Sequence, residues 1–136
     1  MARFYSKKVI KDGIKYDSQT EYEFECYIKK NKYELGIKDI KRQQKFILMD
    51  KFRDIDNKMI RDITYTADYV LTMNDGTTEI VDCKGSKSTI EETFKIKFKL
   101  MKNRYRDFKY RIIIKDENNK SKWLDINSGK EIKYGV

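Results

Sequence analysis

Residues 66–85 read TADYVLTMNDGTTEIVDCKG, two apolar runs joined by Asn74-Asp75-Gly76. How this stretch turns decides the fold. A strand alternates its side chains between two faces, so Asp82 and Lys84 share one face while Val81 and Cys83 share the other. If the three residues form the loop, with Gly76 in the left-handed conformation of a bulged hairpin, Met73 lies opposite Thr77. Counting back, Asp68 then lies opposite Asp82. A two-residue loop would slip the register by one and part the two faces.

Outward from the hairpin, the chain carries signals for the other elements. Upstream, VIKDGIKY alternates around Asp12-Gly13, a dipeptide favoured in tight turns, and predicts a hairpin at about residues 5–17. Ser18-Gln19-Thr20-Glu21 fits a capping box and starts a helix that runs to about Tyr33. After Gly36, KRQQKFILMDKFR reads as a strand, DIDN as a turn and MIRDITYTADYVLTM as a longer strand. In IEETFKIKFKLMKNRYR, alternation covers half of the segment, whereas Ile90, Phe94, Phe98, Met101 and Tyr105 form one helical stripe along all of it. That favours a helix. YRIIIK, residues 110–115, predicts a buried strand and WLDI a short edge strand. The order hairpin-α-β-β-β-α-β is an α/β arrangement, a mixed β-sheet flanked by helices.

The 136 residues fit one domain, 1–136, with a single core. There is no proline, repeat or low-complexity tract to mark a linker. No apolar run approaches membrane-spanning length, and the Met1 to Ile10 start lacks a signal peptide's apolar region, so the expected location is cytoplasmic. The formal charge of +9 favours a polyanionic partner. With no histidine and only Cys26 and Cys83 as cysteines, neither a His/Cys zinc site nor an imidazole base can be assembled. Hydrolysis by this chain would have to use carboxylates, lysines and a hard cation. The two cysteines read as reduced packing residues.

Two carboxylates facing each other across a hairpin repel unless something positive lies between them. Oxygens from Asp68 and Asp82, with the backbone carbonyl of Cys83, would suit Mg²⁺ or Mn²⁺ and, through it, a phosphate. Lys84 on the same face would hold an attacking water or neutralise charge on phosphorus. The plainer reading makes Asp82 and Lys84 ordinary solvent-face residues of a one-sided sheet.

The series Glu21, Asp68 in TADY, then Asp82 and Lys84 in VDCKG resembles the PD-(D/E)XK nuclease superfamily. DGIKYDSQTEYE, RQQKFIL, YTADYVL, VDCKGSK and TFKIKFKLM together resemble small phage and prophage proteins assigned to it, over roughly residues 7–115. The resemblance implies a restriction-endonuclease-like core and Mg²⁺-dependent cleavage of DNA in a phage-infected or lysogenic host, with Holliday junctions among the substrates. It casts Asp68 and Asp82 as metal-binding acids, Lys84 as the catalytic lysine and Glu21 as the helix acid completing the metal shell. Ala67 stands where the superfamily's name has proline. Glu25, one turn after Glu21, is the alternative helix ligand.

Lys87, Lys95, Lys97 and Lys99, with Lys102, follow the motif where a nuclease would track a phosphate backbone. Lys97 is set apart at the edge of the apolar stripe, where the resemblance also places a lysine near the site. Gln43 and Gln44 are positioned to approach the site's edge, while Tyr65, Tyr69 and Phe94 read as core. The competing function is a non-cleaving nucleic-acid-binding accessory or inhibitor that retains the fold. A ribosome-associated or RNA-processing role rests on charge alone. Ile96 and Leu100 lie off the apolar stripe, an i to i+4 pair, and suggest a homodimer interface.

Overall fold

The computed structural model describes residues 8–136, and the part of the predicted N-terminal hairpin at 5–7 lies outside them. Strands β1 (Val9–Lys11) and β2 (Ile14–Tyr16) pair as expected. Asp12 and Gly13 both have positive φ, 50° and 78°, as a two-residue turn of this hand requires. Helix α1 (Gln19–Lys30) starts at Ser18, whose Oγ accepts the Glu21 N–H at 3.1 Å. Glu21 reaches back to the N–H of Asp17 at 3.1 Å, one residue before the cap. The helix ends short of Tyr33, at Asn31, whose side-chain amide donates to the Tyr27 carbonyl.

Strand β3 (Ile37–Met49) leads to a small hairpin of β4 (Phe52–Arg53) and β5 (Met59–Ile60), then to β6 (Ile63–Met73) and β7 (Thr78–Cys83). The stretch read as one long strand from Met59 is thus two, because Met59 and Ile60 pair back onto Arg53 and Phe52 while β6 pairs with β3. Helix α2 (Glu92–Arg104) follows, then β8 (Lys109–Lys115), β9 (Trp123–Asp125) and β10 (Ile132–Tyr134). Six strands form one mixed sheet in the order β10-β9-β8-β7-β6-β3, with β7 and β8 parallel and the other neighbours antiparallel. WLDI is therefore not an edge: β10, an IKY run too short to stand out in the sequence, pairs outside it.

The helices cover opposite faces. Phe24 and Ile28 of α1 pack with Tyr69, Leu71, Val81, Ile113, Trp123 and Tyr134. Phe98 and Met101 of α2 pack with Phe46, Leu48, Tyr65, Ala67, Ile80 and Ile112, and Ile90, Phe94 and Tyr105 complete the expected stripe. Cys83 is buried; Cys26 is exposed and unpaired. No helix among the described residues is long and apolar enough to cross a membrane.

The β6–β7 turn has the three-residue form. Gly76 has φ +88°, its N–H donates to the Met73 carbonyl at 3.0 Å, and the Met73 N–H donates to Thr77 at 2.8 Å. The ladder runs from Thr72↔Thr78 to Tyr69↔Val81, so Asp68 and Asp82 follow as the next opposed pair. There the strands part: β7 continues beside β8 through Cys83↔Ile113, and β6 stays beside β3. A fork opens between them.

At the same level both β3 and β6 exchange faces. Tyr65 and Ala67 face α2 whereas Tyr69 and Leu71 face α1, although all four are odd-numbered and strand alternation would keep them together. In β3, Ile40 lies on the α1 side and Phe46 and Leu48 on the α2 side. The register stays continuous from Arg42↔Tyr69 to Gln44↔Ala67. The residue between is Gln43, with φ +50°, a conformation that costs a non-glycine residue about 1–3 kcal/mol.

Phe24 anchors α1, with its ring centroid 5.2 Å from that of Trp123, 5.7 Å from Tyr134 and 5.8 Å from Tyr69. Phe24→Ala should cost about 3–5 kcal/mol of unfolding free energy in a urea titration, the range for deleting a buried aromatic ring. A loss below about 1 kcal/mol would mean that this contact does not hold the helix to the sheet.

Candidate functional site

The fork between β6 and β7 holds a cleft of about 760 Å³. Its walls come from the start of α1 (Asp17, Glu21), from Gln43, from β6 (Tyr65, Asp68), from the end of β7 (Asp82 to Gly85) and from α2 (Phe94, Lys97). Of the residues singled out in the sequence, Glu21, Asp68, Asp82, Cys83, Lys84 and Lys97 meet here. Lys87, Lys95 and Lys99 do not line it: they are exposed, Lys87 pairing with Glu131 at 2.5 Å and Lys95 with Glu92 at 3.1 Å. Gln44 also lies outside the lining, and Gln43 lies within it.

The buried face of α1 carries both glutamates and turns only one of them to the cleft. Glu21, Phe24, Glu25 and Ile28 form its buried stripe, which puts two carboxylates one turn apart against the sheet. Glu25 faces away from the cleft: it accepts from the Tyr16 hydroxyl, pairs with Lys29 at 3.1 Å and lies 2.7 Å from Arg42 Nε. Glu21 faces the cleft, accepting from Gln43 Nε2 at 2.8 Å and Arg42 at 3.0 Å. Arg42 so bridges both acids, its guanidinium 4.1 Å from the centre of the Tyr16 ring.

Asp68 stands at the point of the fork. Its Oδ2 accepts the Cys83 N–H at 2.8 Å, replacing the ladder bond that the parting strands give up, and its Oδ1 accepts from Gln43 at 3.3 Å. Asp82, 4% exposed, accepts from the Tyr65 hydroxyl at 3.0 Å, and its Oδ2 lies 2.8 Å from Lys84 Nζ. The shared face of Asp82 and Lys84 is realised. The Lys84 ammonium also sits 3.9 Å from the centre of the Phe94 ring, which supplies a cation–π contact and aims it into the cleft.

Oxygen atoms of Asp17, Glu21 and Asp68 all lie within 4.8 Å of one another. Asp17 is thus a member of the acidic group that sequence reasoning missed. Its one signal was its place just before the cap of the helix that carries Glu21. Asp82 is not in this group of mutually close acids; its buried Oδ2 is taken by Lys84. Tyr65 is core, as read, yet its hydroxyl serves Asp82.

A protein-family profile described as Protein of unknown function (DUF1064) matches residues 1–121. The chain belongs to that family. No curated protein and no solved structure matches it.

For this member of the DUF1064 family, the electrostatics of the cleft are unfavourable as they stand. Burial first, and then the negative charges of Asp82 and Glu21, hold the Asp68 carboxyl well above its ordinary 3.8. Burial also raises Glu21 and Asp82, against hydrogen bonds from Gln43 in the first case and the Lys84 charge in the second. A carboxyl raised in the folded state binds more protons there than in the unfolded chain. Its contribution to stability is therefore full below the ordinary carboxylate range and is lost as pH rises through the raised value. At neutral pH the ionised form of Asp68, which has no salt-bridge partner among the described residues, opposes folding.

Asp68→Asn keeps an oxygen to accept the Cys83 N–H and removes the charge. In EDTA at pH 7 the variant should be more stable than the wild type by on the order of 1 kcal/mol, with the gain vanishing below about pH 4. Thermal melts across that range test it. A variant less stable than wild type at pH 7 would show that Asp68 is compensated as it stands.

Proposed function

We propose that the chain is a Mg²⁺-dependent DNA endonuclease with a restriction-endonuclease-like PD-(D/E)XK core, acting on branched DNA such as Holliday junctions during phage recombination. The observation that carries the reading is the fork, where Glu21, Asp68, Asp82 and Lys84 reach one cleft from three separate elements. The succession of α1, the β3-β6-β7 meander, α2 and a β8 parallel to β7 agrees with the arrangement that the resemblance implies.

The residues fit a hard divalent cation. Asp17, Glu21 and Asp68 offer only oxygen, their ligand atoms are mutually close, and repulsion among the acids is what a cation would relieve. Asp17, Glu21 and Asp68, with Asp82 adjoining, would hold it, and bound there it would supply Lewis-acid stabilisation of charge on a phosphate. The chain's own groups do the rest. Asp82 and the Phe94 ring fix the Lys84 ammonium, whose N–H groups donate to a phosphate oxygen or orient a water. Tyr65 holds Asp82 in turn. Lys97, half-buried at the rim, adds positive charge for the flanking backbone.

A pure binder of nucleic acid gains nothing from acids set against a polyanion, which favours cleavage over the accessory role. Asp82→Asn and Lys84→Ala should each lower the rate of Mg²⁺-dependent cleavage of labelled four-way, nicked or linear DNA by at least about a hundredfold. Retardation of the same DNA in gels, and its weakening by salt, should remain close to wild type. Wild-type cleavage by either variant would remove the assigned site, and absence of cleavage by the wild-type protein on all three substrates would favour the accessory reading.

The same proposal includes a homodimer. Ile96 and Leu100 are 59% and 38% exposed on the side of α2 away from the sheet, and paired cleavage of a junction needs two active sites. Light scattering should give twice the 16.4 kDa chain mass for the wild type and a folded monomer for the Ile96→Glu, Leu100→Glu double variant. A monomeric wild type at high concentration would refute this interface.

A further inference from the structure

Gln43 is the left-handed residue in the middle of β3, at the level where the strand exchanges faces, and the face exchange alone does not call for a glutamine. The usual occupants of that conformation are glycine, asparagine and aspartate. What the conformation achieves is to bring one amide between two acids from other elements. Gln43 Nε2 donates to Glu21 Oε1 at 2.8 Å and to Asp68 Oδ1 at 3.3 Å. The nitrogen is the amide atom that faces both carboxyl groups, and it can donate to each whether or not that group is ionised.

An NH₂ group so placed occupies the approach to two of the three acids that are close enough to share a cation. Its hydrogens partly neutralise the carboxylates, and they would repel a cation arriving at the same place. The other arm of the amide is an oxygen, the donor type that a hard cation takes. Rotation about the last side-chain bond exchanges the two, and it faces a low barrier because that torsion is broad. The side chain lies at the open cleft, with room to turn.

We propose that Gln43 is a two-position residue of the acidic site: its NH₂ holds Glu21 and Asp68 together in the ion-free protein, and its Oε1 turns to the cation when one binds. This rests on the cation reading given above. The left-handed backbone at Gln43 is the device that lets one side chain serve both states, because a right-handed strand residue at this position would point to one face of the sheet or the other.

The test uses the full chain, with Mn²⁺ alone as probe, in calorimetric titrations and in thermal melts with EDTA or with millimolar Mn²⁺. Gln43→Gly removes the amide and relieves the positive φ, and its melt in EDTA shows whether it is folded for the comparison. It should bind Mn²⁺ about tenfold more weakly, in the range found for groups that orient or support metal ligands. Gln43→Glu brings an oxygen but no N–H. It should melt lower than wild type in EDTA, bind Mn²⁺ at least as tightly, and gain more in melting temperature from Mn²⁺ than the wild type does. That crossing of effects is one that a purely structural glutamine would not give. If both variants keep Mn²⁺ affinity within about twofold of wild type and shift the melts equally with and without the ion, the two-position role is wrong while the cation site stands. If the wild type neither binds Mn²⁺ nor changes its melting temperature, the cation reading itself fails and this inference with it.

Discussion

The structure is organised around negative charge buried at one level of the sheet. Helix α1 cannot dock by its apolar residues alone, because the stripe that carries Phe24 and Ile28 also carries Glu21 and Glu25. Two buried carboxylates one turn apart repel each other and have lost their water. Arg42 reaches both of them, and it can do so because β3 lies at the edge of the sheet beside the start of α1. Buried ion pairs seldom stabilise a fold relative to apolar residues of the same size. Their presence here, next to two further buried or half-buried acids, is therefore better explained by what the acids do than by what they contribute to stability.

The face exchange at Gln43 and Asp68 follows from the same constraint. An unbroken pair of strands would present one set of side chains to α1 and another to α2 along their whole length. By inverting both strands at one level without changing register, the chain gives α1 its aromatic floor of Tyr69 with Trp123 and Tyr134, and gives α2 the pair Tyr65 and Ala67 from the same strand. At the inversion a side chain points along the sheet rather than out of it. That is how Asp68 can cap the Cys83 N–H where β7 leaves β6, so the fork opens with that backbone donor satisfied.

What the sequence reveals of this, and what it hides, divides along physical lines. The capping serine, the Gly76 loop and the stripe of α2 are local: each depends on spacings within a few residues, and each is found where periodicity and turn chemistry put it. The opposition of Asp68 and Asp82 follows from the loop length alone. The rest needs distant partners. β9 is covered by a three-residue β10 whose pattern carries no strand signal by itself. Asp17 joins the acids only because α1 docks where it does. Gln43 is the hardest to foresee, since glutamine is not a residue that announces positive φ. Its conformation goes with a face exchange of β3 and with hydrogen bonds to two acids from distant elements, neither of which is local to the sequence around it.

The placement of charge has a consequence for the order of events in the cleft. A chain with a net charge of +9 attracts a polyanion to its surface, yet its cleft is lined by Asp17, Glu21, Asp68 and Asp82, and these repel a phosphate. Lys84 cannot offset them alone, because Asp82 already engages its ammonium. The cleft lies at the carboxyl end of β7, where the sheet changes from antiparallel to parallel and where ligands of open α/β sheets commonly bind. On the proposed reading, a cation must therefore neutralise the acids before or together with the arrival of a phosphate. On that same proposal the outer lysines would set how strongly DNA is held, the inner acids whether it can be cut, and Gln43 would stand between the two as the group that gives way when the ion arrives.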